Sequence, residues 1–180
     1  DHKDVFWRTI SKDNLTTWYG RTPESRIADP ADPARIFSWL ICESYDDKGN
    51  VITYDYKQED SAGVDVHAAH ERNRTPGART ANRYLKRIRY SNREPYFPDL
   101  TQPQPTPLPE NWCFEVVFDY GDHDEAQPFP DEPSRSWPCR KDPFSTYRAA
   151  FEIRTYRLCR RVLMFHHFPD EPGVGANCLV

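Results

Sequence analysis

The 180 residues include 10 Tyr, 10 Phe and 5 Trp but only 1 Met, so a buried core must consist largely of aromatic side chains, which favour strands. Seventeen prolines leave few stretches for an uninterrupted helix, because a proline inside a helix costs about 3 kcal/mol. The formal net charge of -4 argues against a general attraction to nucleic acid or anionic membranes, and no run of about 20 apolar residues predicts a membrane span.

Two strands are expected first, over residues 5–10 and 15–19, joined by a short polar turn. Both contain the aromatic and β-branched residues that suit a pleated sheet. A loop with three prolines follows over residues 21–33, because proline cannot donate to a strand ladder.

A β-hairpin over residues 35–57 is the strongest local pattern in the chain. Apolar and polar residues alternate on both sides of a short turn, which is the period of a half-buried strand. The apolar positions are Phe37, Trp39, Ile41 and Tyr45 before the turn and Ile52, Tyr54 and Tyr56 after it. We therefore predict that Trp39 and Tyr54 belong to the structural core.

The turn of this hairpin is predicted at Asp46, Asp47, Gly49 and Asn50. Glycine and asparagine tolerate the positive φ that tight hairpin turns need. The tyrosine spacing, the acidic pair and the Gly-Asn dipeptide also resemble one YD unit of Rhs-type repeat proteins. Such proteins wind strips of hairpins into a hollow shell.

The middle of the chain alternates between polar connections and strands. Residues 64–73 show a helical pattern, and a strand is predicted at residues 83–90. Six prolines between residues 93 and 110 favour extended polyproline II. We predict that this segment is a spacer that cannot join a central sheet.

The clearest strand is predicted at residues 112–120. Its alternation places Phe114, Val116 and Phe118 on one face, which we predict to be buried in the core, and Cys113, Glu115, Val117 and Asp119 on the other. A second proline-rich loop over residues 121–143 leads to a long strand or strand pair over residues 147–168.

These elements predict a mainly β fold of antiparallel hairpins with long proline-rich loops and little helix. About five to seven strands are expected. Because the sequence opens without methionine or a signal peptide and ends on apolar Leu179 and Val180, we interpret residues 1–180 as a single β-rich fragment of a longer chain.

Two clusters have residue types that bind metals: residues 122–125, Asp-His-Asp-Glu, and the pair His166 and His167. Adjacent residues on a strand point to opposite faces, so the two histidines cannot share an ion without a bulge. The acidic cluster lies in a Gly/Pro loop, where solvated charge is the usual state. We therefore predict no metal site and no cofactor.

No residue pattern predicts catalysis. No serine lies in a nucleophile elbow, no cysteine in a nucleophile motif, and no glycine-rich phosphate loop is present. The odd count of five cysteines argues against a full disulfide framework, and Cys42, Cys113 and Cys159 are expected to be small buried thiols. We expect no catalytic residues.

Two arginine-rich strands, over residues 83–89 and 154–161, could form a nucleic-acid groove with interleaved aromatic residues. The interpretation that we favour is a wetted sheet face, with the arginines paired to Glu115, Asp119 and Glu152. We predict no nucleic-acid partner.

Several segments together resemble the N-terminal region of the bacterial virulence-plasmid B protein family, which B components of insecticidal toxin complexes share. These segments are residues 6–14, 25–30, 37–40, 84–90, 114–121 and 156–163. They occur in the right order over nearly the whole chain, which is more specific than any single motif.

The resemblance implies a non-enzymatic shell segment that helps to encapsulate and deliver a cytotoxic polypeptide. Its implied partners are the propeller and shell of its own parent chain, the toxin-complex C component and the pore-forming A component. The implied location is extracellular, after assembly in the bacterial cytoplasm. The plasmid family also has an ADP-ribosyltransferase in a separate C-terminal domain, whose Glu-x-Glu pair does not occur in this sequence.

A binding module for glycan or protein is the alternative function. It would use exposed aromatic residues as stacking platforms, namely Trp7, Trp18, Trp39, Trp112 and Trp137. Exposed, coplanar tryptophans would favour this alternative, whereas buried ones that alternate with polar residues would favour a wall.

Overall fold

The structure is a computed structural model that describes residues 5–102, 105–131 and 133–180. The described part is mainly β, as predicted, with short 3₁₀ helices at Pro23–Ser25 and Gly77–Thr80. Its strands are β1 Trp7–Ile10, β2 Thr16–Tyr19, β3 Arg26–Asp29, β4 Asp32–Trp39, β5 Ile41–Tyr45, β6 Val51–Gln58, β7 Arg83–Asn92, β8 Trp112–Asp119, β9 Phe144–Thr146, β10 Ile153–Thr155, β11 Arg161–Phe168 and β12 Gly175–Leu179.

An 8-stranded sheet of order β1-β2-β5-β6-β7-β8-β11-β12 dominates the fold. Every pair of neighbours in it is antiparallel. Strands β3 and β4 form a separate two-stranded ribbon, and β9 and β10 form another. The antiparallel architecture confirms the predicted fold class.

The hairpin prediction is right for the turn and for the strands that flank it after Leu40, but wrong for residues 35–40. The hairpin consists of β5 and β6, whereas β4 pairs with β3, a strand in the segment that was expected to be a loop. Trp39 therefore lies in the β3–β4 ribbon and not in the main sheet. The register shift between β6 and β7 leaves Lys86 without a paired residue, so Tyr54 pairs with Ile88 and Tyr56 pairs with Leu85.

The helix expected at residues 64–73 is absent, and the segment is a series of turns. Single-turn hydrogen bonds form there, such as Glu71 N–H to Ala68 O at 2.8 Å and Arg74 N–H to Glu71 O at 3.0 Å. The Glu71 side chain is 1% exposed because it points inward to Arg154. Tertiary ion pairing therefore overrides the weak local helical preference.

The buried face of β8 is the one that was expected to be polar. Glu115, Val117 and Asp119 are 4%, 0% and 1% exposed, whereas the predicted core residues Phe114, Val116, Phe118, Trp39 and Tyr54 are only half-buried. The prediction failed because alternation identifies two faces without showing which face other segments cover.

The two proline-rich loops cover the charged face. Tyr96 of the first loop is 3% exposed and packs edge-on against Tyr45 on β5. In the second loop, Pro130 O accepts a hydrogen bond from Arg87 Nη2 at 2.7 Å. We therefore call the face that contains Glu115 and Val117 the covered face, and the face that contains Val116 the uncovered face.

Phe118→Ala should lower the free energy of unfolding by about 1–2 kcal/mol, less than the 3–5 kcal/mol typical of a fully buried phenylalanine. Phe118 is half-buried beside the cluster of Tyr84, Tyr120 and Trp137. Urea unfolding of this variant, compared with Phe165→Ala at a site that is 0% exposed, measures the difference. Equal losses in the two variants would contradict the assignment of faces.

Candidate functional site

The hairpin turn is held by its first carboxylate. Asp46 accepts hydrogen bonds from the backbone N–H groups of Lys48 and Asn50, both at 2.9 Å, and from Asn50 Nδ2 at 2.7 Å. Gly49 has a φ of +91°, in the region that favours glycine. Asp47 accepts a hydrogen bond from Asn14 Nδ2 at 2.9 Å, which ties the turn to the β1–β2 connection.

The same turn seats the first proline-rich loop. Gly49 O accepts hydrogen bonds from Tyr96 N–H at 2.9 Å and from Asn92 Nδ2 at 2.8 Å. A Cβ atom at residue 49 would lie 2.9 Å from Pro95 Cβ and 3.0 Å from Phe97 Cζ. The glycine therefore serves two purposes, the positive φ of the turn and the close approach of the loop.

Gly49→Val should destabilise the fold by about 1–3 kcal/mol, because a β-branched side chain is strained at positive φ and would displace the loop. The midpoint of thermal unfolding tests this expectation. Gly77→Val is the matched control, because a Cβ atom there would meet nothing within 4 Å. A normal midpoint for Gly49→Val would show that the turn has another conformation.

Ion pairs run across the covered face. Arg87 Nε lies 2.6 Å from Glu115 Oε1, and Arg161 Nε donates to Asp119 Oδ2 at 2.7 Å. The predicted partners are correct for these two carboxylates, but the expected wetted face is wrong, because both are almost fully buried. The third predicted carboxylate, Glu152, pairs instead with Arg74, at 2.7 Å.

Asp122 and His123 were expected to be solvated, and this expectation is wrong: they are 0% and 1% exposed. Lys86 Nζ donates to Asp122 Oδ2 at 2.8 Å and lies 3.0 Å from His123 Nε2. Asp119 Oδ1 accepts the backbone N–H groups of Gly121, Asp122 and His123, at 2.7 to 3.2 Å. The loop thus begins by wrapping around a buried carboxylate.

The pKa values in this cluster follow from burial and from these contacts. Burial would raise the pKa of Asp119, but the Arg161 hydrogen bond and the backbone N–H groups together lower it to about 2. Burial and the neighbouring Lys86 ammonium lower the pKa of His123 below its usual 6.5. His123 is therefore held neutral in the folded protein.

His123 should make stability fall as the pH drops below about 6.5, because the unfolded chain then binds a proton that the folded chain resists. Burial raises the pKa values of Glu43 and Glu115, so these two carboxyl groups stabilise the fold as the pH falls. Their contribution therefore opposes that of His123. The contribution of His123 is therefore measured as the difference in melting temperature between wild type and His123→Gln. The advantage of wild type over His123→Gln in melting temperature should shrink between pH 7 and pH 5.

The exposed His67→Gln variant is the matched control for that titration. A difference between wild type and His123→Gln that stays constant over this pH range would contradict the neutral, buried assignment of His123.

Two further networks are buried and join distant segments. Arg157 contacts both oxygens of Glu59, and its Nε donates to Oε2 at 2.9 Å; both side chains are 0% exposed. Arg154 Nη2 donates to Glu71 Oε1 at 2.6 Å, and the Tyr156 hydroxyl donates to Glu71 Oε2 at 2.5 Å. These contacts could not be predicted from the sequence, since partners up to 98 residues apart leave no local pattern.

In the described ranges, no group of three or more His, Cys, Asp or Glu is arranged to hold an ion. His166 and His167 point to opposite faces, as predicted: the ring centroid of His166 lies 4.9 Å from that of Phe114, whereas His167 Nε2 lies 3.1 Å from Glu115. All five cysteines are free. Cys42 and Cys113 are half-buried and Cys159 is exposed, so none of the three is buried as expected.

The tryptophans do not form a stacking platform. Trp18, Trp112 and Trp137 are 7%, 6% and 1% exposed, and Trp7 is 57% exposed. Trp7 and Trp39 meet edge to face, at an interplanar angle of 86°. Because buried and perpendicular rings cannot present coplanar faces to a sugar, the arrangement counts against the glycan-binding alternative.

The uncovered face is a candidate functional surface. On this face, strands β6, β7, β8 and β11 place four side chains in register: Tyr54, Ile88, Val116 and Met164. Beside them, the Phe114 ring contacts those of Tyr90, His166 and Phe168, with centroids 4.9 to 5.6 Å apart. Exposed apolar patches of this kind mark interaction sites in soluble proteins.

Both edges of the sheet are also open among the described residues. Strand β1 has a neighbour on one side only, and so has β12. On β1, Trp7 and Ile10 are 57% and 60% exposed. Unpaired edges with apolar side chains can pair with further strands.

The family model "Salmonella virulence plasmid 65kDa B protein", SpvB, matches residues 1–168. The chain belongs to the SpvB family. It is 38% identical over 172 residues to the mono(ADP-ribosyl)transferase SpvB of Salmonella typhimurium strain 14028s, and equally to that of Salmonella dublin.

The match to these SpvB proteins covers 94% of this chain and 28% of each relative. The solved N-terminal domain of effector protein SpvB from Salmonella typhimurium strain LT2 superposes with a TM-score of 0.84 and 38% identity. That match covers 100% of this chain and 55% of the solved chain. The ADP-ribosyltransferase name thus describes proteins of which this chain matches about a quarter.

SpvB family folds also occur in toxin complexes. The crystal structure of TcdB2-TccC3 matches with a TM-score of 0.83 and 34% identity, over 97% of this chain and 8% of that chain. The Photorhabdus luminescens Tc holotoxin pore matches with a TM-score of 0.81 and 35% identity, over the same shares. None of the described helices is long and apolar enough to cross a membrane.

Proposed function

We propose that this region is a non-enzymatic segment of the wall of a toxin complex, in the B component. In this role it helps to encapsulate and deliver a cytotoxic polypeptide. The observation that carries the proposal is the open 8-stranded sheet, with one face covered by its own loops and one apolar face left uncovered. A wall segment needs this asymmetry, because further parts of the shell must pack on it.

The wall role explains why ion pairs fill the covered face. The two proline-rich segments are held to the sheet by Arg87 to Asp131 at 2.9 Å, by Lys86 to Asp122, and by Tyr96 to Glu43 at 3.0 Å. These contacts hold the loops on the covered face and leave the uncovered face unused. The uncovered face is then free to contact the rest of the assembly.

The partners that we propose are the remainder of the parent chain, the C component and the pore-forming A component. The matches to parts of longer chains in TcdB2-TccC3 and in a holotoxin support this context. The proposed location is extracellular, after assembly in the bacterial cytoplasm. A shell role requires no nucleotide, metal or catalytic residue from this region.

Assembly of a longer chain that contains this region with its C component tests the proposal. Val116→Lys places a charge on the uncovered face and should prevent co-elution of the two components in size-exclusion chromatography, because burying an unpaired ammonium is costly. Val66→Lys, in a turn where Val66 is 37% exposed, is the matched control and should assemble normally. Normal assembly of Val116→Lys would count against the wall role.

The non-enzymatic part of the proposal has its own test. The purified chain, incubated with NAD, should release no nicotinamide above a protein-free blank. Turnover that co-purifies with the folded chain would overturn this assignment.

A further inference from the structure

A cavity of about 710 Å³ separates the β3–β4 ribbon from the ends of β6 and β7. Its walls are mostly apolar, with Pro23, Ala28, Pro30, Pro33 and Ile36 from the ribbon side. Its size lies in the range of ligand sites, which combine apolar walls with a few polar groups. None of the contacts that hold the two proline-rich loops lies in it.

Arg83 lines this cavity at the start of β7. Its Nη1 donates to the backbone carbonyls of Thr80 at 3.0 Å and Asn82 at 3.2 Å, which fixes the guanidinium in place. Its Nε is buried without a hydrogen-bond partner in the described part of the chain. Nη2 donates to no group among the described residues, so the guanidinium retains an unused donor.

Arg83 differs from three buried arginines in having no carboxylate within salt-bridge distance among the described residues. Arg79, Arg154 and Arg157 each reach Glu71 or Glu59. The carboxylate of Asp29 in the same cavity is already engaged by Arg35 at 2.7 Å. Burial lowers the pKa of the Arg83 guanidinium, and the charge of Glu24 offsets this desolvation only in part.

An anion compensates the positive charge of a partly desolvated guanidinium, and a carboxylate matches the planar geometry of its N–H donors. A neighbouring polypeptide can supply such a carboxylate. The same fold occupies 55% of the solved SpvB N-terminal domain chain and 8% of the TcdB2-TccC3 chain, so in both relatives more polypeptide accompanies it.

We propose that this cavity is a docking site for a polypeptide segment that presents a glutamate between apolar residues. The glutamate carboxylate contacts the free Nη2 donor of Arg83, and the flanking apolar side chains pack on the proline-lined walls. The site is distinct from the uncovered face, and its occupation does not depend on the wall role.

Two peptides that differ by one atom group test this inference: N-acetyl-Leu-Glu-Leu-amide and N-acetyl-Leu-Gln-Leu-amide. Each is titrated into the isotope-labelled chain, and NMR shifts of Ala28, Ala34 and Thr80 report on the cavity. The glutamate peptide should bind about tenfold more tightly, as one charge-assisted hydrogen bond predicts.

Arg83→Gln should abolish the preference for glutamate, whereas Arg135→Gln, at an arginine that is half exposed, should retain it. Equal binding of both peptides to wild type, or no shifts in the cavity, would overturn the proposal even if Arg83→Gln failed to fold. A third arm uses phenylacetate: tighter binding than the glutamate peptide would assign the site to small organic anions and contradict a polypeptide occupant.

Discussion

Glu59→Ala is expected to lower the free energy of unfolding by about 3–5 kcal/mol, the range for breaking a buried ion pair by removing one partner. It leaves the Arg157 guanidinium, 0% exposed, without its bidentate carboxylate. Arg157 also donates to Ala62 O at 2.7 Å and Trp137 O at 2.8 Å, so the loss loosens both segments. Urea unfolding gives the change directly.

Glu125→Ala is the matched control, because its pair with Arg135 is exposed and such pairs contribute about 0–1 kcal/mol. The double variant Glu59→Leu with Arg157→Met should recover most of the loss, since apolar residues of similar size often replace buried pairs without penalty. A Glu59→Ala midpoint equal to that of Glu125→Ala would contradict the buried network.

Val117→Pro should unfold the chain or cost more than about 3 kcal/mol, because it removes a ladder donor from a central strand. Val117 is 0% exposed and pairs with Arg87 on one side and Leu163 on the other. Val117→Ala keeps the backbone amide and should cost only about 1–3 kcal/mol. Circular dichroism and thermal unfolding compare the two.

The two variants separate backbone from side-chain effects. If Val117→Pro melts within error of Val117→Ala, the strand is not central to the sheet, and the topology assigned to β8 is wrong.

Local patterns in the sequence were sufficient for the fold class and for several strands. Period-two alternation located β7 and β8, and turn chemistry located Asp46 and Gly49. Strands β3 and β12 were not predicted. Strand β3 lies beside three prolines and β12 begins at Gly175, so their pairing partners and not their own residues make them strands.

Burial was the harder prediction. Phe114 and Val116 look like core residues, and Glu115 and Asp119 look like solvent-facing ones, yet the structure reverses the two. Long-range ion pairs allow carboxylates to be buried, and the loops that cover them lie far away in sequence. A reversed assignment of this kind is expected where an apolar face is kept for contacts outside the chain.

The wall role requires that the assembled complex shield the enclosed toxin from protease. A longer chain that contains this region is assembled with its C component, and the lifetime of the enclosed polypeptide is measured under limited proteolysis. We expect full protection in wild type and Val66→Lys, and rapid cleavage in Val116→Lys. Circular dichroism of the isolated Val116→Lys region checks that the variant is folded. Unchanged protection in Val116→Lys would contradict the claim that the uncovered face builds the wall.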